Sequence, residues 1–531
     1  MAEHRKSLVL TRWRDTAIIF LAVYIAYVFF RGLDPVEMLV ADVQPWDSEF
    51  YQKLSDQMVA NGLSGLSGIP PYSYRIVLPA LATLARIWLG FTYSEASHFI
   101  NLISTFLVTV FCFNLWVGLG LSRLYAYTGV ILVTAFWLGP LRYSIFYPGG
   151  QFGFEILMTS LSFLALKTIY SAEQPSGFVL PSSVLIVATL GRENILFLVV
   201  INIVVLWMFR VGRMGSRVVP ALVALGSSLL GFGVARNLVQ STGEYSIFKT
   251  ILTYGWFHFN VAESLYMLVY AFGPLFLFFL LCLSFAPSRK YLLSVLDPAN
   301  SIDNKLIAGF CLSSFIFAFV GGTDSDRFLL WSLPFFFFVG LTSLRAVVEI
   351  LSRGTKRIAI VLVFVLAAAL WSRFYVPAIP HLLFTDHFNS QARVKTNLNP
   401  SLYRGLPFLL PLREKLVEVS DRDAYGSVRI GKPEQLPKAF VAEKVAVSFG
   451  GVDVRSVNEQ ATGNLYHGSY RFAANNIPFP LGFAHNQNEL LAIHPYHGDP
   501  RLRAALLSQW IFLYLLLVAG ISLAPPGSTR S

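Results

Sequence analysis

The sequence is poor in charge. Asp, Glu, Lys and Arg make up only 13% of its 531 residues, against roughly 25% in soluble proteins. Apolar residues make up 55% and fall into runs of membrane-spanning length, which excludes an ordinary water-soluble protein. The net charge of +11 would suggest nucleic-acid binding in a soluble chain. In a membrane chain the positive-inside bias accounts for it, so no nucleic acid is expected as a partner.

Cysteine is scarce, and one modification site is missing. The three cysteines, Cys112, Cys282 and Cys311, all lie in apolar runs, which excludes a disulfide framework and a zinc site. No Asn-x-Ser/Thr acceptor with a permitted middle residue occurs, which favours a bacterial envelope over a eukaryotic secretory membrane. No small-residue cleavage site follows the first apolar run, so we expect a retained first span rather than a signal peptide.

The apolar runs predict an all-α polytopic membrane protein with about 11–13 transmembrane helices. The predicted spans are residues 16–31, 76–91, 98–119, 125–141, 152–170, 179–209, 218–236, 262–285, 304–320, 328–351, 357–375 and 504–524. Basic clusters in short loops set the orientation, because they remain in the cytoplasm. They occupy residues 5–14, 210–217, 289–305 and 345–357. The N-terminus is therefore predicted to be cytoplasmic, and the loops 32–75, 237–261 and 321–327 to face outward.

The stretch 179–209 is long for one span and carries Gly191-Arg192-Glu193-Asn194 at its centre. As a single helix it would place two charges at mid-depth, which is costly unless they pair or face a cavity. Alternatively it breaks into two short helices at Gly191, while 125–141 dips into the membrane and returns. We favour the second arrangement, because irregular backbone at membrane depth is tolerated where it lines a water-filled cavity.

Residues 376–503 are the one segment long enough to form a soluble domain. The segment contains strand-like pieces and glycine turns such as Gly450-Gly451, so we predict a small α/β or mostly β domain outside the membrane. The resulting organisation is a multi-span domain at 1–375, the outer domain at 376–503, and a final transmembrane helix with a short tail at 504–531.

The first outer loop, 32–75, is rich in acids and aromatic residues. Asp47 and Glu49 lie within Trp46-Asp47-Ser48-Glu49-Phe50-Tyr51. A carboxylate in this setting can take the proton of an attacking hydroxyl, and aromatic rings stack on sugars. Asp42 and Tyr51 are candidate substrate ligands in the same loop. The alternative is that acids appear here because outer loops avoid Lys and Arg, and that the aromatic residues only mark the membrane interface.

A second candidate region is Gly321-Gly322-Thr323-Asp324-Ser325-Asp326-Arg327, just before an apolar run. The Arg327 guanidinium matches phosphate oxygens in a bidentate fork, and Asp324 and Asp326 can bind sugar hydroxyls. The Asp-x-Asp pattern also suits a divalent metal. The alternative is a simple interfacial salt bridge between Asp326 and Arg327.

Five further residues are candidate substrate ligands. Arg75 at a span entrance suits either a phosphate ligand or a lipid headgroup anchor. Arg192 and Glu193 are either paired with each other as scaffolding or line a cavity. Glu155 heads a span. His258 lies in an outer amphipathic stretch, where it is a candidate ligand but more typically a polar residue at the interface.

These motifs resemble the polytopic glycosyltransferases of the GT-C superfamily, in particular GPI-type mannosyltransferases and their bacterial relatives. The resemblance covers about residues 16–210 as an ordered set of short strings, which are Trp46 to Tyr51, Tyr72 to Pro79, Tyr147 to Glu155 and Gly191 to Asn194. It implies a GT-C-like fold and polyprenyl-phosphate sugars as donors. It also implies that Asp47 occupies the place of the acid in the first loop, and that Glu155 is a site residue.

The sequence departs from this family in two places. Ser48-Glu49 stands where many relatives have Gly and an aromatic residue, so Glu49 rather than Asp47 is an alternative for the active acid. Asn194 is followed by Ile195 where the relatives have Gly. Family members of the mannosyltransferase type generally work without metal, so neither a metal nor another cofactor is expected.

The predicted function is an inverting hexosyl- or pentosyltransferase. It would move a sugar from a polyprenyl-phosphate donor to a glycan, lipid or protein acceptor at the outer face of a bacterial cytoplasmic membrane, in contact with membrane lipids. One alternative is a polysaccharide polymerase or ligase with a lipid diphosphate donor, which predicts an arginine-rich outer loop, but 237–261 contains only Lys249. The other is a flippase or transporter for lipid-linked sugars, which predicts an internal symmetry that the sequence does not show.

Overall fold

The structure of the chain is a computed structural model. It describes residues 13–33, 48–135, 139–141, 144, 149–209, 215–243, 268, 272–320 and 325–351, together with short pieces at 448–449, 452–453, 481–484, 489–493, 511, 514–515 and 518. The described part is a bundle of helices around one large apolar core. Phe163, Phe310 and Phe335 meet at its centre, with ring centroids 4.8–5.8 Å apart.

The helices of the first half are α1 (Trp13–Leu33), α2 (Ser48–Asn61), α3 (Val77–Leu89), α4 (Tyr93–Gly118), α5 (Arg123–Ala135), α6 (Phe152–Ser171), α7 (Val179–Gly191), α8 (Asn194–Met208) and α9 (Gly215–Leu238). Local signals set some of the boundaries. Gly90, in the left-handed region at φ 70°, ends α3. Thr92 and Glu95 form a capping box that begins α4.

The second half contains α10 (Pro274–Ser284), α11 (Ala286–Leu296), α12 (Ile302–Val320), α13 (Ser325–Leu330) and α14 (Leu333–Arg345), which continues into a π-helix at Ala346–Leu351. The pair α10 and α11 is bent by 110°. By length and composition, three described helices suffice to cross a membrane, namely α4, α6 and the Val218–Leu238 part of α9. The bent pair would be a fourth.

Side-chain contacts fix the directions of the first helices. At one end of the bundle, here called the lower end, Asp15 at the start of α1 accepts a hydrogen bond from Tyr127 (2.5 Å) and lies 3.4 Å from Arg123. At the other, upper end, Tyr27 of α1 lies 3.5 Å from His98, near the start of α4. α4 therefore runs antiparallel to α1, and α5 runs parallel to it.

The predicted span at 76–91 does not cross the bundle. The amide of Ile76, just before α3, donates to the Leu190 carbonyl, and Tyr93, just after it, donates to the Gly149 carbonyl. Both contacts lie at the upper end. Gly191, next to Leu190, packs on Phe154. The Phe154 amide donates to Asn101, which lies one helical turn from His98 at that end. α3 thus begins and ends at the same end of the bundle.

The segment 179–209 breaks where the favoured arrangement predicts. α7 ends at Gly191 and α8 begins at Asn194, with Arg192 and Glu193 between them. The predicted return of 125–141 is not observed. α5 starts beside Asp15 at the lower end, and beyond its end the Ser144 carbonyl accepts a hydrogen bond from His98 Nδ1 at the upper end, at 2.7 Å. Because α3 does not cross the bundle and 179–209 forms two helices, the helices from α4 to α9 alternate in direction.

A short parallel ladder joins the first loop to the end of α9. Strand β1 (Leu66–Gly68) pairs with β2 (Val239–Ser241) in register Leu66 to Val239. Leu54 and Met58 of α2 pack on the same small apolar cluster. These contacts hold α2 and the rest of the described first loop against the upper end.

In the predicted outer domain, 376–503, the structure describes two antiparallel strand pairs. β3 (Ser448–Phe449) pairs with β4 (Val452–Asp453), and β5 (Leu481–Ala484) pairs with β6 (Glu489–Ile493). The remainder of 376–503 lies outside the described residues, as does the predicted span at 357–375.

Candidate active site

Four charged residues meet at the upper end of the bundle, and each of them is at most 8% exposed. They are Arg75, Glu155, Arg192 and Glu193, here called the ionic cluster. Charges buried this deeply among apolar helices are costly unless they are paired. The geometry of the pairs therefore determines what the cluster can do.

The first pair is formed by Arg75 and Glu193, which lie 118 residues apart in sequence. Arg75 Nε lies 2.8 Å from Oε2, and Arg75 Nη2 lies 2.6 Å from Oε1. The remaining guanidinium nitrogen, Nη1, donates to the Tyr51 hydroxyl at 2.8 Å. The two parallel N–H donors make this a bidentate pair of fixed orientation. All three nitrogens of Arg75 are thus engaged within the protein.

The second pair is formed by Arg192 Nη1 and Glu155 Oε1. Trp331 Nε1 donates to the other oxygen of Glu155 at 2.9 Å. The Arg192 guanidinium also lies over the Trp331 ring, 5.0 Å from its centroid, in a cation–π contact. Trp331 therefore holds both members of the pair and connects them to the segment between α13 and α14.

Local backbone structure explains how these side chains reach one another. Arg192 and Glu193 occupy the break between α7 and α8, so they leave the helix in different directions. Glu155 lies in the first turn of α6, where the helix dipole favours a carboxylate. Arg75 follows the 3₁₀ turn Tyr72–Tyr74 and precedes α3. Three chain segments therefore converge at a point where none of them is regular helix interior.

The two arginines of the cluster differ in whether they have an N–H donor left to bind a ligand. The cluster holds two guanidinium groups and two carboxylates, so its formal charge is zero. Arg75 is fully engaged, as described above. Arg192 Nε, by contrast, has no hydrogen-bond partner among the residues that the structure describes. A buried N–H donor of this kind favours a ligand with an acceptor oxygen, since an unmade hydrogen bond there costs about 1–3 kcal/mol.

The structure brings together five of the sequence-predicted site residues, which are Tyr51, Arg75, Glu155, Arg192 and Glu193. It corrects two interpretations of them. Arg192 and Glu193 are not paired with each other, because each binds a residue from another segment. Arg75 is only 6% exposed and is not a lipid headgroup anchor.

The other predicted site residues fall outside the described part of the chain. Asp42, Asp47, Asp324 and His258 are among them, as are the side chains of Glu49, Asp326 and Arg327. Glu49, Asp326 and Arg327 have described backbone positions, and Asp326 lies in α13. Glu49 lies in α2, two residues before Tyr51. Arg327 lies in α13, one helical turn before Trp331.

Sequence reasoning missed two residues at this site. Trp331 was seen only as part of an apolar run, although it follows Arg327 by one turn. Gln151 was seen only within the string that ends at Glu155, although it directly follows two glycines at the start of α6. Both are uncharged, so no unusual charge in the sequence marks them.

Metal ligands are not grouped in the described ranges, where no set of three His, Cys, Asp or Glu side chains is placed to hold an ion. The Asp324 and Asp326 pattern lies outside those ranges. Nothing in the ionic cluster resembles a vacant metal site, because both of its carboxylates are already bound to arginine.

The chain has similar proteins among the solved structures. No protein-family model matches the chain, and no curated protein matches it. Among solved structures, it is similar to the archaeal oligosaccharyltransferase AglB from Archaeoglobus fulgidus in complex with an inhibitory peptide and a dolichol-phosphate, with 13% identity, a TM-score of 0.42, and coverage of 81% of this chain and 60% of that one.

A second similar structure is the Archaeoglobus fulgidus oligosaccharyltransferase in the apo form. The identity is again 13% and the TM-score is 0.43, with coverage of 77% of this chain and 60% of that one. The chain thus spans about 60% of the length of these structures.

Proposed function

We propose that the chain is a membrane glycosyltransferase that moves a sugar from a polyprenyl-phosphate donor to an acceptor hydroxyl. The observation that carries the proposal is the ionic cluster, with its unpartnered Arg192 donor, at one end of an apolar helix bundle. Ionisable residues inside membrane segments are retained mainly where they serve a substrate path or site. Here the cluster joins the same chain segments that carry the GT-C-like strings.

A lipid phosphate fits this environment better than a free ion. Its hydrocarbon chain can lie along the apolar helices, while its phosphate needs donors at a buried, polar end. The cluster is electrically neutral, so it offers directed N–H groups rather than a strong net field. Arg192 Nε supplies one such donor. Arg327, one helical turn from Trp331, is the proposed second guanidinium for the phosphate.

The proposed reaction is a direct displacement. The acceptor oxygen forms a bond to the anomeric carbon from the side opposite the phosphate, and the bond from that carbon to the phosphate oxygen breaks. The electron pair leaves with the polyprenyl phosphate. The acceptor proton passes to Asp47 or Glu49, which act as alternative general bases. Since negative charge grows on the departing phosphate, Arg192 and Arg327 stabilise the transition state more than the bound donor.

Arg75 has a supporting role in this scheme. It binds Tyr51 of α2 and Glu193 of the break between α7 and α8. The acid-bearing start of α2 is thereby held against the segment that carries Arg192. We assign Arg75 and Glu193 as positioning residues rather than as groups that touch the donor.

The upper end is proposed to face outward in a bacterial cytoplasmic membrane. In support, three basic residues lie at the lower end. Arg123, Lys167 and Arg345 form contacts there with Asp15, Asp303 and the Gly120 carbonyl. Basic loop residues remain on the cytoplasmic side. The acceptor is then a glycan, lipid or protein hydroxyl on the outer face, and no cofactor takes part.

The test uses the purified full-length chain in lipid nanodiscs with radiolabelled polyprenyl-phosphate hexoses and pentoses. Donor turnover is measured as release of polyprenyl phosphate, with an envelope extract as acceptor source. We expect turnover by the wild type. We also expect a loss of about 100-fold or more for Asp47→Asn or Glu49→Gln, whichever removes the general base.

Asp56→Asn is the matched control. Asp56 lies on α2, as Glu49 does, but its side chain is half exposed and paired with Arg86. Its rate should stay within about twofold of the wild type. Unchanged rates in both acid variants would contradict the mechanism. Turnover of polyprenyl-diphosphate sugars alone would instead identify the polymerase or ligase alternative.

A further inference from the structure

Gln151 has a buried side chain amide that the protein does not use. The residue is 3% exposed. Neither Oε1 nor Nε2 of its amide finds a hydrogen-bond partner in the part of the chain that the structure describes. Leaving a buried amide unpaired is costly, so a ligand that pairs with it would be favoured.

The backbone around Gln151 is anchored on both sides. Asn101 Nδ2 donates to the Gly150 carbonyl at 2.7 Å, and Asn101 Oδ1 accepts from the Phe154 amide at 3.1 Å. The Tyr93 hydroxyl donates to the Gly149 carbonyl at 3.5 Å. Asn101 therefore fixes the turn with its own amide, whereas the Gln151 amide takes no part in fixing it.

The unused amide lies next to the ionic cluster. The Gln151 carbonyl accepts the Glu155 amide at 2.7 Å in the first turn of α6. Gln151 is the N-cap residue of α6, and Glu155 lies in the first turn that follows it. Glu155 binds Arg192, whose Nε likewise has no hydrogen-bond partner within the described ranges. Glu155 is thus linked to two residues with unmet polar groups, to Gln151 through the backbone and to Arg192 through its side chain.

We propose that the Gln151 amide binds hydroxyl groups of the donor sugar, beside the phosphate held at Arg192. This rests on the proposed function and assigns the sugar subsite within it. A carboxamide offers two N–H donors and one acceptor oxygen. Neighbouring sugar hydroxyls, which both donate and accept, satisfy all of these, whereas a phosphate group has only acceptors at neutral pH. Gln151 is thus a residue that determines sugar specificity.

The experiment compares two lipids that differ only in the sugar. The full-length chain in nanodiscs is titrated with sugar-free polyprenyl phosphate and with the polyprenyl-phosphate hexose or pentose that the wild type binds most tightly. Gln151→Met keeps the size of the side chain and removes its hydrogen bonds. We expect it to weaken binding of the sugar-bearing lipid about tenfold. The affinity for the sugar-free lipid should stay within about twofold of the wild-type value.

Gln174→Met is the matched control, because Gln174 is exposed in the link between α6 and α7, far along the chain from the cluster. It should change neither affinity. Gln151→Asn retains the amide on a shorter side chain and serves as a second variant if the methionine variant loses its melting transition. The asparagine substitution should also selectively weaken binding of the sugar-bearing lipid.

The outcomes separate the two proposals. Equal losses for both lipids, or no loss for either, would overturn the assignment of Gln151. If the wild type binds the sugar-free lipid but gains nothing from the sugar, the sugar subsite fails and phosphate binding stands. If the wild type binds neither lipid, the proposed function fails, and the assignment of Gln151 fails with it.

Discussion

Replacing Arg75 by methionine is expected to lower the free energy of unfolding by about 3–5 kcal/mol. The substitution leaves the Glu193 carboxylate buried without its partner, since Arg75 supplies two of its nitrogens to that group at 2.6–2.8 Å. It also removes the donor to Tyr51 and so loosens α2. Unfolding is measured by denaturant titration of the full chain in mixed micelles.

The pair Arg86 and Asp56 provides the matched control. It has a similar N–O distance of 2.8 Å, but the side chains are 21% and 49% exposed. Arg86→Met should therefore cost about 1 kcal/mol or less. The double variant Arg75→Met with Glu193→Gln should be more stable than the sum of the single effects predicts. Equal losses for Arg75→Met and Arg86→Met would contradict the role given to the buried pair.

Replacing Arg192 by lysine is expected to lower the rate of sugar transfer by about 100- to 1,000-fold. Lysine keeps a positive charge for Glu155, but it lacks the planar group that both lies over Trp331 and presents Nε. Single-turnover rates with the sugar-bearing lipid that the wild type uses would measure the effect. Stability should change little, because the charge balance of the cluster is retained.

Arg236→Lys is the control for this substitution. Arg236 also lies over aromatic rings, 4.8 Å from Phe232 and 5.3 Å from Tyr74, but it is exposed and outside the cluster. Its rate should remain within about twofold of the wild type. A lysine at position 192 that supports the wild-type rate would show that the free Nε donor has no part in transfer.

The break at Arg192 and Glu193 was predictable because charge in an apolar run is conspicuous. The residues with which Arg192 and Glu193 pair were not predictable. The two residues are neighbours in sequence, which suggests pairing with each other, yet Glu193 binds Arg75 and Arg192 binds Glu155. A helix break turns adjacent side chains to different sides, and which distant segment meets each one depends on packing that local sequence does not contain.

The span at 76–91 shows the same limit at the level of the fold. Its residues are apolar enough for a span, but α3 has only 13 residues, about 20 Å of helix against a hydrocarbon core of about 30 Å. Length alone does not explain the position of α3, because α7 also has 13 residues and does cross the bundle. What keeps α3 at the upper end is the docking of Ile76 on Leu190 and of Tyr93 on Gly149. These contacts span more than 50 residues of sequence.

Neutral polar residues were the least predictable part of the site. Charged residues in or beside an apolar run are conspicuous, and Glu155 and Arg192 are two of them. Trp331 and Gln151 carry no charge, and each has an ordinary reading as an interface or loop residue. Their roles depend on burial and on the presence or absence of a hydrogen-bond partner, which only the folded chain reveals.

Photo-crosslinking of a lipid phosphate tests the central claim most directly. A polyprenyl phosphate with a diazirine on its first isoprene unit is irradiated with the wild-type chain in nanodiscs, and labelled peptides are mapped by mass spectrometry. We predict labelling of the peptides that contain Gln151 to Glu155, Gly191 to Asn194 and Trp331, suppressed by excess unlabelled lipid and by Arg192→Met. Labelling confined to the lower end, around Lys167 and α11, or labelling that unlabelled lipid does not suppress, would contradict the account.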